Sequence, residues 1–210
     1  MDFMSSFPHS QTQDIAAYFD GYAEELARAA ASLPRAELAR AQSLLHDCIA
    51  RDGSIFACGN GGSAAIANHL VCDFGKGMRA DTAMRPRVRS LSSGPEILTA
   101  IGNDLSYAET FSLQLDGFAR PGDLLISVSS SGDSENIVRA VQWARENGVA
   151  TIALTGFGGG RSATLADVNL HIASTNYGVV EDLHQSIMHA LAQFTRQSLM
   201  PAELVRQRRF

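Results

Sequence analysis

The sequence has few of the features that mark secreted or membrane proteins. Only three cysteines, Cys48, Cys58 and Cys72, occur among 210 residues. They form no paired disulfide framework, and free thiols in a reducing compartment are the simplest interpretation. The N-terminus does not resemble a secretory signal, and no apolar run approaches the ~20 residues that a membrane span needs. We therefore expect a cytoplasmic protein with no membrane partner.

Positive charge is also scarce. The chain has 17 basic and 22 acidic residues, which gives a formal net charge of -5 at pH 7. A general nucleic-acid-binding surface needs clustered positive charge, so we expect no nucleic-acid partner. The apolar fraction is ordinary for a globular protein, and a chain of this length can bury a sizeable core.

The apolar periodicity predicts an α/β fold. Two helices come first, over 12–33 and 35–51, and the last helix covers 179–198. In between, helical segments alternate with predicted strands at 54–60, 87–92, 123–129, 149–156 and 167–174. This alternation implies a parallel sheet with helices on both faces.

The chain shows no internal repeat and no linker long enough to separate domains. We therefore expect one domain over 11–200, which includes the two N-terminal helices. Residues 1–10 are polar and contain a proline, so we expect them to be flexible. Residues 201–210 are expected to form a C-terminal tail.

A glycine-rich turn, GNGGSA at 59–64, joins the first predicted strand to the next helix. Glycine lets the backbone approach a ligand, and a helix N-terminus offers free N–H groups to an anion. The turn also fits the dinucleotide fingerprint G-x-G-x-x-A, which needs an acidic residue at the end of the next strand. That strand ends at Ser92, and Asp81 precedes it, so we favour an anion site. Its candidate residues are Asn60, Gly61, Gly62 and Ser63.

A second turn, SSSGDS at 129–134, follows the most hydrophobic predicted strand. One serine would suffice as a helix N-cap, but four hydroxyls can also donate to phosphate oxygens. The candidate phosphate ligands are Ser129, Ser130, Ser131 and Ser134. A carboxylate repels phosphate, so Asp133 must point away or pair with a cation. Both turns follow strands of one parallel sheet and should open on the same edge.

Two helices carry histidines and carboxylates at helical spacing. His69 and Asp73 lie four residues apart on one helix face, and Glu181 and His189 share a broad face of the last helix. These residues suit a divalent transition metal such as zinc. Alternatively they form a general acid/base set. The spacing alone favours the simplest interpretation, in which each is an ordinary polar surface residue.

Taken together, five motifs resemble those of the sugar isomerase (SIS) domain family, in particular its phosphoheptose isomerases. The motifs are GNGGSA (59–64), GND (102–104), SSSGDS (129–134), LTGFGGG (154–160) and EDLHQSIMH (181–189). The resemblance implies a five-stranded parallel sheet in a flavodoxin- or Rossmann-like sandwich of three layers. It also implies a homotetramer whose sites form at subunit interfaces, joined by the N-terminal and last helices.

The resemblance also implies the roles of individual residues. Asn60 and Ser63 would contact the sugar, Asp104 would bind its hydroxyls, and the four serines of 129–134 would hold its phosphate. One zinc ion per subunit would bind His69, Asp73, Glu181 and His189. Asp73 and His189 would be the catalytic pair. The implied reaction converts sedoheptulose 7-phosphate to D-glycero-D-manno-heptose 7-phosphate through an enediol.

Three residues depart from the family pattern. The family usually has glutamate in place of Asp73, glutamine in place of Glu181, and an acidic residue in place of Gly178. The first two departures leave open which carboxylate is the base, and the third leaves open the exact sugar. Two alternatives therefore remain, an isomerase of another phosphosugar and a non-catalytic phosphosugar-binding regulator.

Overall fold

The computed structural model describes residues 7–210 and places a five-stranded sheet at the centre of the fold. All neighbouring strands are parallel, in the order β2-β1-β3-β4-β5. The strands are β1 (Ser54–Gly59), β2 (Arg87–Ser90), β3 (Leu124–Ser129), β4 (Ala150–Thr155) and β5 (Val168–His171). The predicted fold class is confirmed.

Helices cover both faces of this sheet. They are α1 (Ile15–Ser32), α2 (Arg35–Ala50), α3 (Gly62–Gly75), α4 (Pro95–Asp104), α5 (Ser112–Phe118), α6 (Glu135–Glu146), α7 (Gly160–Leu165), α8 (Tyr177–Leu199) and α9 (Ala202–Val205). One core lies between the sheet and α1, α2, α3 and α8. A second core on the opposite face is built mainly from α5 and α6. None of the helices within 7–210 is both long and apolar enough to span a membrane.

The strand order positions the two candidate turns side by side. From β1 the chain adds β2 on one side and then crosses to β3 on the other, so the order reverses at β1. Gly59, the last residue of β1, lies opposite Val128, the residue before Ser129. Ligands of such sheets bind at this kind of reversal, outside the carboxyl ends of the strands.

Short elements account for the differences from the sequence prediction. β5 has four residues instead of eight, and the helices α7 and α9 were not predicted. Helix α7 begins within a run of three glycines and has only six residues, which is too short for a periodic pattern. The predicted tail at 201–210 contains α9, and its Arg208 pairs with Asp81.

The N-terminal segment is partly anchored. Of the residues predicted to be flexible, 1–6 lie outside the described part of the chain. Phe7 is buried, with its ring centroid 4.8 Å from that of Tyr18 and 6.0 Å from that of Tyr22. On α1, Tyr22 and Leu26 pack on the core, whereas Ile15 and Phe19 are 79% and 65% exposed.

Candidate active site

The two predicted turns line one cleft of about 150 Å³ at the carboxyl edge of β1 and β3. Helix α8 closes the cleft from the side with Tyr177 and Glu181. The full lining is Asn60, Ser63, Val128, Ser129, Ser130, Ser131, Ser134, Tyr177 and Glu181. The prediction that both turns open on the same edge is confirmed.

The serine turn depends on a glycine in a left-handed conformation. Gly132 has φ +65°, and a Cβ there would overlap the carbonyl oxygen of Gly159 in the LTGFGGG loop. That close packing fixes the turn against its neighbour. The Ser129 hydroxyl accepts a hydrogen bond from the Gly132 N–H at 3.1 Å.

Two hydroxyls of this turn make no hydrogen bond to the described residues. The Ser130 hydroxyl is buried and has no hydrogen-bond partner among the described residues. Ser134 is the N-cap of α6, but its side chain makes no capping hydrogen bond. Because an unpaired buried hydroxyl is costly, the Ser130 side chain indicates a place for a polar ligand atom.

Asp133 is turned away from the cleft and paired with a cation. The Arg161 guanidinium donates to the Asp133 carboxylate and, at 3.0 Å, to its backbone carbonyl. The same guanidinium donates to Glu135 Oε2 at 2.9 Å. The hydrogen bond from Arg161 holds the pKa of the Asp133 carboxyl below its usual range. The prediction that Asp133 must pair with a cation is confirmed.

The glycine turn brings α3 close to α8. Gly61 has φ +53°, which favours glycine, and is the N-cap of α3. A Cβ at Gly62 would overlap the Glu181 carboxylate, so this carboxylate packs directly against the first residue of α3. The positive end of a helix dipole stabilises an anion at such a position. This contact explains how the chain tolerates a carboxylate at position 181.

Asn60 is held by residues that sequence reasoning missed. Its amide exchanges two hydrogen bonds of 2.9 Å with the buried amide of Asn136, and its Oδ1 also accepts from the Tyr107 hydroxyl at 2.8 Å. Asn136 in turn donates to Thr110 Oγ1 at 3.1 Å. Neither Asn136 nor Tyr107 belongs to a recognisable motif. Asn136 lies in α6 and Tyr107 between α4 and α5, and only the folded chain brings both to Asn60 at the end of β1. Asp104 lies exposed at the end of α4 and is not among the cleft residues.

Three of the four predicted metal ligands form a cluster between α3 and α8. Asp73 Oδ2 lies 2.6 Å from His189 Nδ1, and Asp73 Oδ1 lies 3.4 Å from His69 Nε2. The two imidazole centroids are 5.0 Å apart, with ring planes at 84°. Potential ligand atoms of all three side chains lie within 4.8 Å of one another. The fourth residue, Glu181, is outside this cluster and lines the cleft.

The other histidine of α8 has a different environment. His184 is fully buried against the sheet, and neither ring nitrogen meets the geometry of a hydrogen bond within 7–210. Burial lowers the pKa of His184 to about 4, against a smaller opposing effect from the Thr155 backbone, and nearby His171 lowers it further. His184 is therefore a neutral core residue at physiological pH.

Helix α8 links the cleft to the cluster. Glu181 and His189 are eight residues apart on this helix, which corresponds to about 12 Å along its axis. About two turns of α8 therefore separate the part of the cleft at Glu181 from the cluster at His189.

Comparison with known proteins identifies relatives that are similar to this chain in sequence and fold. A family model described as the SIS domain matches residues 17–156. The phosphoheptose isomerase of Nitratidesulfovibrio vulgaris (strain DSM 19637 / Miyazaki F) is 40% identical over 147 residues, which is 70% of each chain. The phosphoheptose isomerase structure from Neisseria gonorrhoeae superposes with a TM-score of 0.79 at 34% identity, over 86% of this chain and 96% of that one. The phosphoheptose isomerase structure from Francisella tularensis superposes with a TM-score of 0.80 at 29% identity, over 87% of this chain and 96% of that one.

Proposed function

Because the chain belongs to the SIS domain family, we propose that it is an aldose–ketose isomerase that converts sedoheptulose 7-phosphate to D-glycero-D-manno-heptose 7-phosphate. The observation that carries this proposal is the pair formed by Asp73 and His189, 2.6 Å apart on the helices that flank the serine cleft. The similarity to a phosphoheptose isomerase at 40% identity supports the choice of substrate.

The cleft suits the phosphate end of the sugar. Ser129, Ser130, Ser131 and Ser134 present hydroxyls to it, and none of the described residues that line it is cationic. Hydroxyls and the N-termini of α3 and α6 would therefore bind the dianion. Binding energy at this remote group can position the reacting carbons. Asn60 and Ser63, with the backbone of Gly61 and Gly62, would contact the sugar, and Asp104 its hydroxyls.

The acid–base pair suits proton transfer through an enediol. In the proposed reaction, the Asp73 carboxylate removes a proton from the carbon next to the carbonyl and returns it to the neighbouring carbon. His189 moves the second proton between the two oxygens of the enediol. A positioned acid or base of this kind contributes typically 10²–10⁴-fold to rate.

The cluster also fits a divalent metal. Two imidazoles and a carboxylate with ligand atoms within 4.8 Å form a donor set that zinc accepts. We propose one zinc or similar ion per subunit, held by His69, Asp73 and His189, where it would polarise the carbonyl of the ring-opened sugar. Glu181, which the family resemblance would make a fourth ligand, faces the sugar cleft in this subunit.

We also propose that the protein is a cytoplasmic homotetramer with its sites at subunit interfaces. The exposed Ile15 and Phe19 of α1 support an interface, since apolar side chains of this size favour burial. The free cysteines support a reducing compartment.

One observation favours a second candidate, isomerisation of a different phosphosugar. A Cβ at Gly178 would lie 2.9 Å from the Tyr22 hydroxyl, so Tyr22 occupies space beside the position where the family usually has an acidic side chain. The contact that such a side chain makes with the sugar is therefore absent.

Assay of the purified protein tests both candidates. It should convert sedoheptulose 7-phosphate to the aldose, and Asp73→Asn should slow this conversion about 10²–10⁴-fold. Conversion of another phosphosugar, but not of sedoheptulose 7-phosphate, would replace the proposed substrate. Binding of sugar phosphates without turnover, with and without added zinc, would indicate a regulator.

A further inference from the structure

Helix α8 carries a row of polar side chains at intervals of four residues. Tyr177 and Glu181 line the cleft, and His189 joins the cluster with Asp73. Gln185 lies between them, and its Nε2 is 2.9 Å from Nε2 of His189. Spacing of four residues brings side chains together on one helix face. Gln185 is therefore the residue of α8 that contacts the histidine of the proposed acid–base pair.

We propose that Gln185 is a positioning residue that fixes the His189 ring with its Nδ1 towards Asp73. Two hydrogen bonds at opposite nitrogens define the ring orientation. One runs from Nδ1 to Asp73 Oδ2 at 2.6 Å, and the other joins Nε2 to Gln185. The inference rests on the proposed function, because it assigns Gln185 to the acid–base and metal cluster described above.

The need for a second contact follows from the shape of imidazole. A half-turn of the ring about its bond to Cβ exchanges Nδ1 for a carbon, and the His189 side chain is only partly buried. A hydrogen bond at Nε2 opposes this rotation, because the half-turn would also move Nε2 away from Gln185. An amide offers both a donor and an acceptor, so Gln185 can hold Nε2 whichever ring nitrogen carries the proton.

Partners of this kind also matter when a histidine binds a metal. The ring nitrogen that does not face the metal is usually held by a hydrogen bond, and loss of that bond typically costs 10–100-fold in metal affinity or activity. His189 Nδ1 faces the cluster and Nε2 faces Gln185. Gln185 is therefore placed to support either role of His189.

The same helix supplies a matched control. Gln193 lies one turn after His189, as Gln185 lies one turn before it, but Gln193 is exposed and makes no hydrogen bond within the described part of the chain. Methionine has a similar length and helix propensity and lacks the amide. Gln185→Met thus removes a hydrogen bond to His189, whereas Gln193→Met makes the same chemical change without removing one.

The test measures turnover of sedoheptulose 7-phosphate, zinc affinity by competition with a chromogenic chelator, and the melting temperature of each variant. We expect Gln185→Met to lower kcat about 10–100-fold, with KM within about twofold. Zinc affinity should fall over the same range, and Tm should stay near that of the parent. Gln193→Met should match the parent in every measurement. Gln185→Glu, which keeps an acceptor at the same reach, should recover part of kcat.

The outcomes separate this inference from the proposed function. If the parent turns over no sedoheptulose 7-phosphate, the proposed substrate is wrong. The zinc affinity of Gln185→Met relative to the parent then still tests the role of Gln185. Parent-like kcat and zinc affinity in Gln185→Met would overturn the inference and leave the isomerase proposal intact. A parent that neither reacts nor binds zinc would overturn both. An equal loss in Gln193→Met would also overturn the role of Gln185.

Discussion

The Tyr22 hydroxyl on α1 donates a hydrogen bond to Asp182 Oδ2 on α8, at an oxygen–oxygen distance of 2.6 Å. This approach depends on Gly178, because a Cβ there would lie 2.9 Å from the Tyr22 hydroxyl. The hydrogen bond thus ties the N-terminal helix to the first turns of α8, next to the cleft. Packing of Tyr22 within the chain therefore explains why residue 178 is glycine, where the family usually has an acidic residue.

Gly178→Ala should therefore be destabilising even though alanine is the better helix former. The added Cβ would displace the Tyr22 hydroxyl from Asp182, and a lost hydrogen bond to a charged group costs about 1.5–3 kcal/mol, which outweighs a helix-propensity gain of up to about 1 kcal/mol. In a Tyr22→Phe background the same change should cost less, because the crowded hydroxyl is gone. The free energy of unfolding, from urea denaturation, measures both effects.

Gly117→Ala is a suitable control for this test. Gly117 also lies in a helix, but its added Cβ would meet nothing within 4 Å. That variant should be neutral or more stable. Equal costs of Gly178→Ala with and without the Tyr22 hydroxyl would contradict the packing explanation.

Ser130→Ala should weaken substrate binding without weakening the fold. The Ser130 hydroxyl is buried in the cleft with no partner among residues 7–210, so its removal leaves no donor or acceptor unpaired. A lost hydrogen bond to a charged group is worth about 1.5–3 kcal/mol, which is roughly a 10–100-fold increase in KM. Steady-state kinetics and thermal melting should show these two results.

Ser162→Ala provides the comparison. Ser162 is equally buried and unpaired within the described residues, but it is not among the cleft residues. This variant should leave KM unchanged. A similar rise of KM in both serine variants would show that the effect is indirect and that Ser130 does not contact phosphate.

Removal of Arg161 should expose the proposed phosphate site to the charge of Asp133. The guanidinium bonds the carboxylates of both Asp133 and Glu135, so Arg161→Met leaves the Asp133 carboxylate uncompensated beside the serine turn. We expect KM for the sugar phosphate to rise several-fold, and to rise less at high salt, because salt screens exposed charges.

The second variant Asp133→Asn identifies the source of this effect. In the double variant Arg161→Met with Asp133→Asn, the repelling charge is absent and KM should return towards that of the parent. A KM that stays high in the double variant would mean that Arg161 acts on the substrate in some other way.

His184 should make the protein less stable in acid. Its folded-state pKa is about 4, below the ordinary value of about 6.5, so the unfolded chain binds an extra proton between these values. The free energy of unfolding therefore falls as the pH decreases from about 6.5 to about 4, and the loss from this group levels off below the folded pKa.

Replacement of His184 isolates its contribution to that loss. His184→Phe should flatten the decline of unfolding free energy between pH 6.5 and 4, whereas the same change at the exposed His46 should not. Urea denaturation across this range measures the difference. An unchanged slope in His184→Phe would mean that the buried imidazole is not the group that titrates.

The sequence predicts the geometry of the cleft well where that geometry depends on local motifs. GNGGSA and SSSGDS end two strong apolar strands, and the rule for parallel sheets suffices to bring them to one edge. His69 and Asp73 are likewise predicted to share a face, because their spacing on α3 decides it. The parallel α/β architecture follows from the alternation of apolar patterns.

Other parts of the site depend on contacts between distant segments. Glu181 and His189 share a helix, yet Glu181 packs on Gly62 and His189 on Asp73, near opposite ends of α3. Asn136 looks like an ordinary polar residue at the start of an amphipathic helix until Asn60 is placed opposite it. Spacing along one element contains no information on such pairs.

The central claim is that Asp73 acts as the base in isomerisation of a phosphorylated sugar. The most direct test compares Asp73→Asn with Glu181→Gln in turnover of sedoheptulose 7-phosphate at saturating zinc. We predict that Asp73→Asn lowers kcat by about 10²–10⁴-fold, whereas Glu181→Gln keeps most of kcat and changes KM, because Glu181 faces the cleft. Asp73→Asn with most of its kcat, together with an inactive Glu181→Gln, would contradict this assignment and make Glu181 the base.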